Sequence, residues 1–215
     1  MRTKINEISY KRILFCVLLV LSPGFWWIIF KPLAVSSELT KFPTYFREKT
    51  TTIFSIEKLS FIQEMRWSAF GKEKDELISR VYYNKALILV ENSFEYLSLL
   101  SPRIYFQAGD GTEFSPPRVE PIPAILFFFW IFGLVRLIKQ RKFKILLFLF
   151  VSPILAFLAG RRNLVFLFPT FIFYLYVASL GFDFLFRNHP KKGWMIRLLV
   201  IYSLFIIGRV LWIVY

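Results

Sequence analysis

Apolar residues gather in five segments that are separated by charged stretches. A helix that spans a bilayer needs about 20 apolar residues, and about 17 are tolerated. Only helices satisfy their own backbone hydrogen bonds in lipid at these lengths. The pattern therefore predicts an all-α integral membrane protein with about five transmembrane helices. The segments are residues 13–30, 121–138, 145–160, 164–182 and 198–215.

The first segment is interrupted by Pro23-Gly24 and follows a basic N-terminal stretch. Ala34-Val35-Ser36 would fit the cleavage site of a signal peptide. The apolar run is longer than the about 7–15 residues typical of such a peptide. We therefore expect an uncleaved signal-anchor.

The polar stretch between the first two segments divides into four parts. Residues 36–60 mix Thr, Phe and Ile with Pro43, and residues 50–56 favour β-structure, so this part is predicted to be extended chain or a short strand. Residues 57–70 are predicted to be helical. Residues 77–100 place apolar side chains at helical spacing, which predicts an amphipathic helix against the outer membrane face or the transmembrane bundle. Pro102 ends this helix, and residues 101–120 are predicted to form a turn-rich loop.

The charge is distributed unevenly along the chain. The net charge is +14, from 28 Lys and Arg against 14 Asp and Glu. On a folded surface this excess would indicate nucleic-acid binding. Residues 31–120 are neutral, however, whereas residues 1–12 carry +3 and residues 121–215 carry +11. Because the excess lies beside apolar segments, nucleic acid is excluded as a partner, and membrane lipids are expected instead.

Basic residues in short loops predict the topology of a membrane protein. They concentrate in residues 1–12, 136–144 and 187–197, which share one side if all five segments span. That side is the cytoplasm by the positive-inside rule. The N-terminus is then cytoplasmic, residues 31–120 are extracytoplasmic, residues 121–215 form a four-helix transmembrane region, and the C-terminus is extracytoplasmic.

Composition also limits the chemistry. Hydrophobic residues make up 56% of the chain, which excludes a soluble globular enzyme. Cys16 and His189 are each the only residue of their type, so no disulfide, zinc cluster or nucleophile–histidine triad is expected. His189 is interpreted as a solvated loop residue. The sequence predicts no metal and no cofactor.

The outer region contains motifs that are similar to a known family. They resemble the later part of GT-C-type membrane glycosyltransferases, of the dolichyl-phosphate-mannose–protein mannosyltransferase and aminoarabinose transferase kind. The resemblance covers about residues 30–183 and implies a polyprenyl-phosphate-linked sugar as ligand at the outer membrane face. The motifs are Arg80-Val81-Tyr82-Tyr83-Asn84-Lys85, then Glu95-Tyr96-Leu97-Ser98-Leu99-Leu100-Ser101-Pro102-Arg103-Ile104-Tyr105-Phe106-Gln107-Ala108-Gly109-Asp110, then Pro121 before an apolar run.

The chain also departs from that family. Its relatives have about a dozen transmembrane helices, and their catalytic acid lies in a first outer loop that precedes everything matched here. The resemblance therefore implies the C-terminal part of such an enzyme, which needs an N-terminal half in the same chain or a partner membrane protein. No catalytic residue is assigned. The alternative is a non-enzymatic membrane subunit or scaffold.

Arg161 and Arg162 are the strongest candidate site residues. They lie in a short outer turn, where basic residues run against the topology bias. A guanidinium binds phosphate oxygens in a bidentate fashion, so this pair is predicted to bind a lipid phosphate. The alternative is that both side chains extend to lipid headgroups.

Weaker candidates for substrate binding lie in the motifs of the outer region. The basic and amide side chains could equally be the solvated face of a helix, and the acidic one a simple turn residue. Two further arginines, Arg136 and Arg209, are predicted to extend from helix ends toward the membrane surface. The weaker candidates are Arg80, Asn84, Lys85 and Asp110.

Overall fold

A computed structural model describes residues 12–53, 55–70, 85–107, 109–186 and 192–214. The regular structure of these residues is helical, without a strand among them, so the predicted all-α class is confirmed. In chain order the described helices are α1 (Arg12–Val20), α2 (Pro23–Ile29), α3 (Pro32–Thr40), α4 (Phe42–Ile53), α5 (Ile56–Phe70), α6 (Lys85–Ser98), α7 (Pro102–Phe106), α8 (Leu126–Lys139), α9 (Phe143–Val151), α10 (Ile154–Ala159), α11 (Phe168–Phe186) and α12 (Lys192–Val214).

The first apolar segment is bent where the sequence predicts a break. Helices α1 and α2 meet at an angle of 69°, because Pro23 lacks the N–H that would continue the helix. The Gly24 N–H instead donates to the Pro121 carbonyl oxygen at 2.9 Å. A Cβ at Gly24 would lie 3.0 Å from Pro121 and 3.1 Å from Phe171. The bend thus packs the chain directly onto the loop that precedes α8.

The predicted extended chain or short strand within residues 36–60 is wrong, because α3, α4 and α5 cover most of these residues. Thr50, Thr51 and Thr52 each donate a hydroxyl to the carbonyl oxygen four residues earlier, at 2.8 to 3.0 Å. Such back-bonding satisfies a threonine inside a helix. The strand preference of threonine depends on packing against a neighbouring strand, and the structure provides no such neighbour among the described residues.

The predicted amphipathic helix and the loop that follows it are seen in part. Helix α6 covers Lys85–Ser98, while residues 71–84 lie outside the described part of the chain. Within the predicted loop, Pro102–Phe106 forms the short helix α7. The buried Tyr105 and Phe106 anchor α7 to the main core.

The centre of the molecule is the crossing of α8 and α11. A Cβ at Gly133 would overlap the Val177 carbonyl oxygen, and a Cβ at Gly181 would overlap that of Phe129. Only glycine permits backbones to approach this closely, as at helix interfaces in membranes. Phe129 and Phe182 pack edge to face across the same crossing, with ring centroids 5.1 Å apart.

Arg136 lies in this crossing, so the prediction that it extends to the membrane surface is wrong. Its Nη1 donates to Asp183 Oδ2 and to the Leu180 carbonyl oxygen, each at 2.9 Å. The side chains of Arg136 and Asp183 are only 10% and 3% exposed. The carboxylate compensates the buried guanidinium, which removes the reason to extend outward. The side chain of Arg209 is outside the described set.

One helix among the described residues is long and apolar enough to cross a membrane. It is α11, with a mean hydropathy of 1.5 and 67% of its apolar window buried. The bent pair α1 and α2 would be a second if it counts as one span. Residues 143–159 of α9 and α10 form a shorter apolar helical stretch.

Candidate functional site

The candidate site forms around the turn between α10 and α11, residues 160–164, which we name the outer turn. Gly160 ends α10 in the left-handed region at φ 60°. A Cβ there would lie 3.2 Å from the Lys49 side chain, so glycine suits both the conformation and the close approach. The next side chains leave this turn toward different partners.

Arg161 turns toward α3 and α4. Its guanidinium carbon lies 4.4 Å from the centre of the Tyr45 ring. The Tyr45 hydroxyl in turn donates to Glu38 Oε2 at 3.2 Å. Arg161 therefore stacks on an aromatic ring instead of sharing the surroundings of Arg162.

Asn163 binds the same acid from the other side. Its Nδ2 donates to Glu38 Oε1 at 2.7 Å, and its Oδ1 accepts the Phe166 N–H at 3.1 Å. Glu38 is only 8% exposed. Because a buried carboxylate is costly without partners, these bonds fix the outer turn against α3.

Arg162 faces a cavity of about 460 Å³. Its guanidinium donates to the Ser98 hydroxyl at the end of α6. A second basic residue, Arg103 on α7, lines the same space. We name this space the dibasic cavity; its lining includes Ser98, Ser101, Arg103, Gly109, Asp110 and Arg162.

Asp110 joins two walls of the dibasic cavity. Its Oδ1 accepts the backbone N–H and the hydroxyl of Thr112, both at 2.8 Å. Its Oδ2 accepts the Leu164 N–H from the outer turn. Burial raises the pKa of Asp110, and these hydrogen bonds work in the opposite direction. The carboxylate thus positions Arg162 beside the loop and has its oxygens engaged in doing so.

Two tyrosines hold the wall between α6 and α7. The Tyr105 hydroxyl donates to the Leu99 carbonyl oxygen at 3.0 Å, and the Tyr174 hydroxyl donates to that of Leu100 at 2.6 Å. Their rings lie 4.4 Å apart. Because Tyr174 belongs to the central helix α11, the cavity is tied to the core of the molecule.

The structure brings some candidate residues together and separates others. Arg162 and Asp110 line one cavity, whereas Arg161 contacts Tyr45. Lys85 is the first residue of α6. Arg80 and Asn84 lie outside the described residues.

Sequence reasoning missed Arg103. It lies in the loop quoted for the family resemblance, directly after Ser101-Pro102. A proline at the first helical position signals a helix start, and the arginine beside it projects from that first turn. That signal places Arg103 in the first turn of a helix, but nothing in the sequence pairs it with Arg162.

The dibasic cavity has the chemistry of an oxyanion site. Arg103 and Arg162 offer paired N–H donors that match phosphate oxygens, and Ser98 and Ser101 add hydroxyls. Within the described part of the chain, no group of three His, Cys, Asp or Glu residues could hold a metal ion. The arrangement suits binding of an anion.

No family model, no curated protein and no solved structure matches this chain. The class that the fold and the site define is an all-α protein with a helix of membrane-spanning length and a dibasic cavity. The function is inferred from that geometry and from the sequence motifs.

Proposed function

We propose that the chain is a multi-pass membrane protein built on the five apolar segments. The observation in support is the apolar surface of its outer helices. A contiguous apolar surface of this kind marks contact with lipid or with another protein. On α8, one stripe exposes Phe128, Ile131, Val135 and Ile138, and on α9 the exposed side chains include Phe143, Leu147, Phe148 and Val151.

The composition and burial of the central helix α11 support the same proposal. Apart from the paired Asp183 it is predominantly apolar, and it is largely buried by its neighbours. In a bundle whose outward faces are also apolar, lipid is the solvent that suits both layers. Helix α12 has 23 residues, or about 34 Å at 1.5 Å per residue, which is long enough to span.

The proposed orientation places the dibasic cavity outside the cell. Arg141 and Lys142 lie at the turn between α8 and α9, where basic residues favour the cytoplasm. The apolar stretch of α9 and α10 then leads to the outer turn at its other end. Residues 31–120 and the C-terminus are extracytoplasmic in this orientation, and the N-terminus is cytoplasmic.

Single-cysteine labelling tests this orientation. In a Cys16→Ser background, Glu113→Cys should react with an impermeant maleimide on intact cells, and Lys142→Cys should react only after the cells are opened. Both positions are exposed. The reverse pattern, or equal labelling of both positions in intact cells, would refute the topology.

We propose that the dibasic cavity binds the phosphate of a polyprenyl-phosphate-linked sugar. The observation that carries this proposal is the convergence of Arg162 and Arg103 on one cavity. The sugar and the polyprenyl chain of this ligand are proposed from the resemblance of the outer-region motifs to GT-C enzymes. Because the Asp110 oxygens are engaged by Thr112 and Leu164, the chain is not proposed to be catalytic alone.

Arg162→Gln tests the binding site, with Arg161→Gln as the matched control in the adjacent position. A charge-assisted hydrogen bond contributes about 1.5–3 kcal/mol, so Arg162→Gln should weaken binding of decaprenyl-phosphate mannose about 10-fold or more in nanodiscs. Arg161→Gln should bind within about twofold of the wild type. Equal binding by the wild type and Arg162→Gln would refute the site, provided that both unfold at the same temperature.

A second candidate function is a non-enzymatic subunit of a membrane complex. The engagement of Asp110 and the broad apolar surface of α8 and α9 favour it. A binding assay with purified chain and decaprenyl-phosphate mannose distinguishes the two candidates. Stable co-purification of a membrane partner without sugar binding would support the subunit, whereas sugar transfer by the chain alone would contradict both.

A further inference from the structure

A second, apolar cavity adjoins the dibasic cavity. It has a volume of about 180 Å³ and lies between α7 and the start of α8. We name it the α7–α8 groove; it is lined by Pro102, Phe106, Gln107, Ala124 and Phe127, together with Arg103. Arg103 lines both the groove and the dibasic cavity, so a single ligand could enter both past this side chain.

The groove has a buried end and an open end. Phe106 is 2% exposed, and its ring meets that of Phe127 edge to face at 5.4 Å. Phe127 is 39% exposed. It begins the same outward surface of α8 that continues with Phe128 and Ile131. The groove therefore opens toward the surface that the membrane proposal assigns to lipid.

We propose that the α7–α8 groove binds the hydrocarbon next to the phosphate of an amphiphilic phosphate ester, with Arg103 at the junction of chain and headgroup. The proposal rests on the proposed function of the dibasic cavity and adds the site that holds the hydrocarbon of the ligand. A positive cavity beside an apolar groove is complementary to an anionic head joined to a chain. A free phosphate would fill the dibasic cavity and leave the α7–α8 groove empty.

Each buried methylene of such a chain should strengthen binding about fourfold. Two phosphate probes, one with a hydrocarbon that fills the groove and one without, therefore distinguish a lipid phosphate from a small soluble phosphate as the ligand. Farnesyl phosphate carries the chain, and methyl phosphate does not. In nanodiscs, with partitioning into empty nanodiscs subtracted, the wild type should bind farnesyl phosphate at least 50-fold more tightly than methyl phosphate.

Ala124→Trp tests the groove directly, since an indole there fills the space. Ile125→Trp is the matched control, because Ile125 is the exposed neighbour outside the groove lining. Ala124→Trp should weaken farnesyl phosphate binding at least 10-fold and leave methyl phosphate binding unchanged. Ile125→Trp should change neither. Phe127→Glu, which puts a charge at the open end, gives a second variant should Ala124→Trp fail to fold.

The outcomes separate this inference from the proposed function. If Ala124→Trp and Phe127→Glu both bind farnesyl phosphate as the wild type does, while Arg162→Gln weakens both probes, the groove proposal is overturned and the phosphate site stands. If the wild type binds neither probe, both proposals are overturned. Arg103→Gln should weaken both probes, and a loss confined to farnesyl phosphate would contradict its place at the junction.

Discussion

Two regions of the molecule are held together by different means. At the crossing of α8 and α11, glycines bring two backbones into direct contact, and one buried ion pair closes the interface. At the outer turn, polar side chains make the connections, with Glu38, Asn163 and Asp110 joining segments far apart in sequence. The first region depends on shape, and the second depends on satisfied hydrogen bonds.

The two regions therefore have different roles: the crossing supports the fold, and the outer turn carries candidate binding residues. A Cβ fits at neither Gly133 nor Gly181, so the crossing offers a fixed frame to the rest of the chain. The outer turn presents side chains in three directions within three residues, and one of them, Arg162, reaches the dibasic cavity. Candidate binding residues therefore lie where the connections are polar, while the rigid crossing lies beneath them.

The largest expected effect comes from adding a side chain at the crossing. Gly181→Leu would force α8 and α11 apart, because a Cβ already overlaps the Phe129 carbonyl oxygen. We expect a loss of about 4 kcal/mol or more in the free energy of unfolding, measured by denaturant titration in micelles. Gly208→Ala is the control, since a Cβ there meets nothing within 4 Å. It should be neutral or stabilising by up to about 1 kcal/mol, and equal losses in both variants would contradict the close crossing.

The buried ion pair at the crossing should give the next largest effect. Asp183→Leu leaves the Arg136 guanidinium buried without its carboxylate and should cost about 3 kcal/mol. The double variant Arg136→Leu, Asp183→Leu should recover most of that loss, since neither charge remains. The same titration measures the coupling. A double variant as unstable as the sum of both single variants would show that the two side chains do not interact.

A smaller loss is expected at the outer turn. Asn163→Ala removes a donor to the buried Glu38 carboxylate and the acceptor for the Phe166 N–H. Leaving these groups unsatisfied should cost about 2 kcal/mol, read from thermal unfolding. Thr51→Ala on exposed α4 should change stability by less than about 0.5 kcal/mol. If the two substitutions cost the same, the outer turn is not held by Asn163.

The smallest effect is the pH dependence from Asp110. Burial raises the pKa of this carboxyl, so the folded chain holds the proton more tightly than the unfolded chain does. The resulting stability is fully present below the ordinary carboxyl pKa of about 4 and is lost as the pH rises through the raised value. The stability of the wild type minus that of Asp110→Asn should therefore fall as the pH rises above about 4. A difference that rises with pH would contradict the direction of the shift.

Local pattern was sufficient for the elements that depend on local forces. The all-α class follows from long apolar runs, and the bend at Pro23-Gly24 follows from a missing N–H. Residues 50–56 were predicted wrongly because threonine hydroxyls can bond within a helix as well as pack on a sheet. A propensity alone does not distinguish these outcomes.

The contacts of the candidate site depend on partners that are distant in sequence. Arg136 is predicted from the sequence to extend outward, because its partner Asp183 lies 47 residues later and no local pattern indicates the pairing. Arg161 and Arg162 are adjacent, yet the turn sends them to Tyr45 and to the dibasic cavity. Arg103 lines the same cavity as Arg162 although the two residues are far apart in sequence. Two basic residues that are adjacent in sequence therefore need not line the same cavity.

The hydrogen bond from the Gly24 N–H to the Pro121 carbonyl has a consequence for biosynthesis. Its acceptor is translated roughly a hundred residues after its donor, which at about 5 to 20 residues per second is a delay of about 5 to 20 s. During that interval the Gly24 N–H has no Pro121 carbonyl to bond, so the bend that Pro23 introduces is not yet fixed at its final angle. A bend of variable angle in stalled nascent chains that do not expose Pro121, and a fixed one in longer chains that do, would be the sign of this timing.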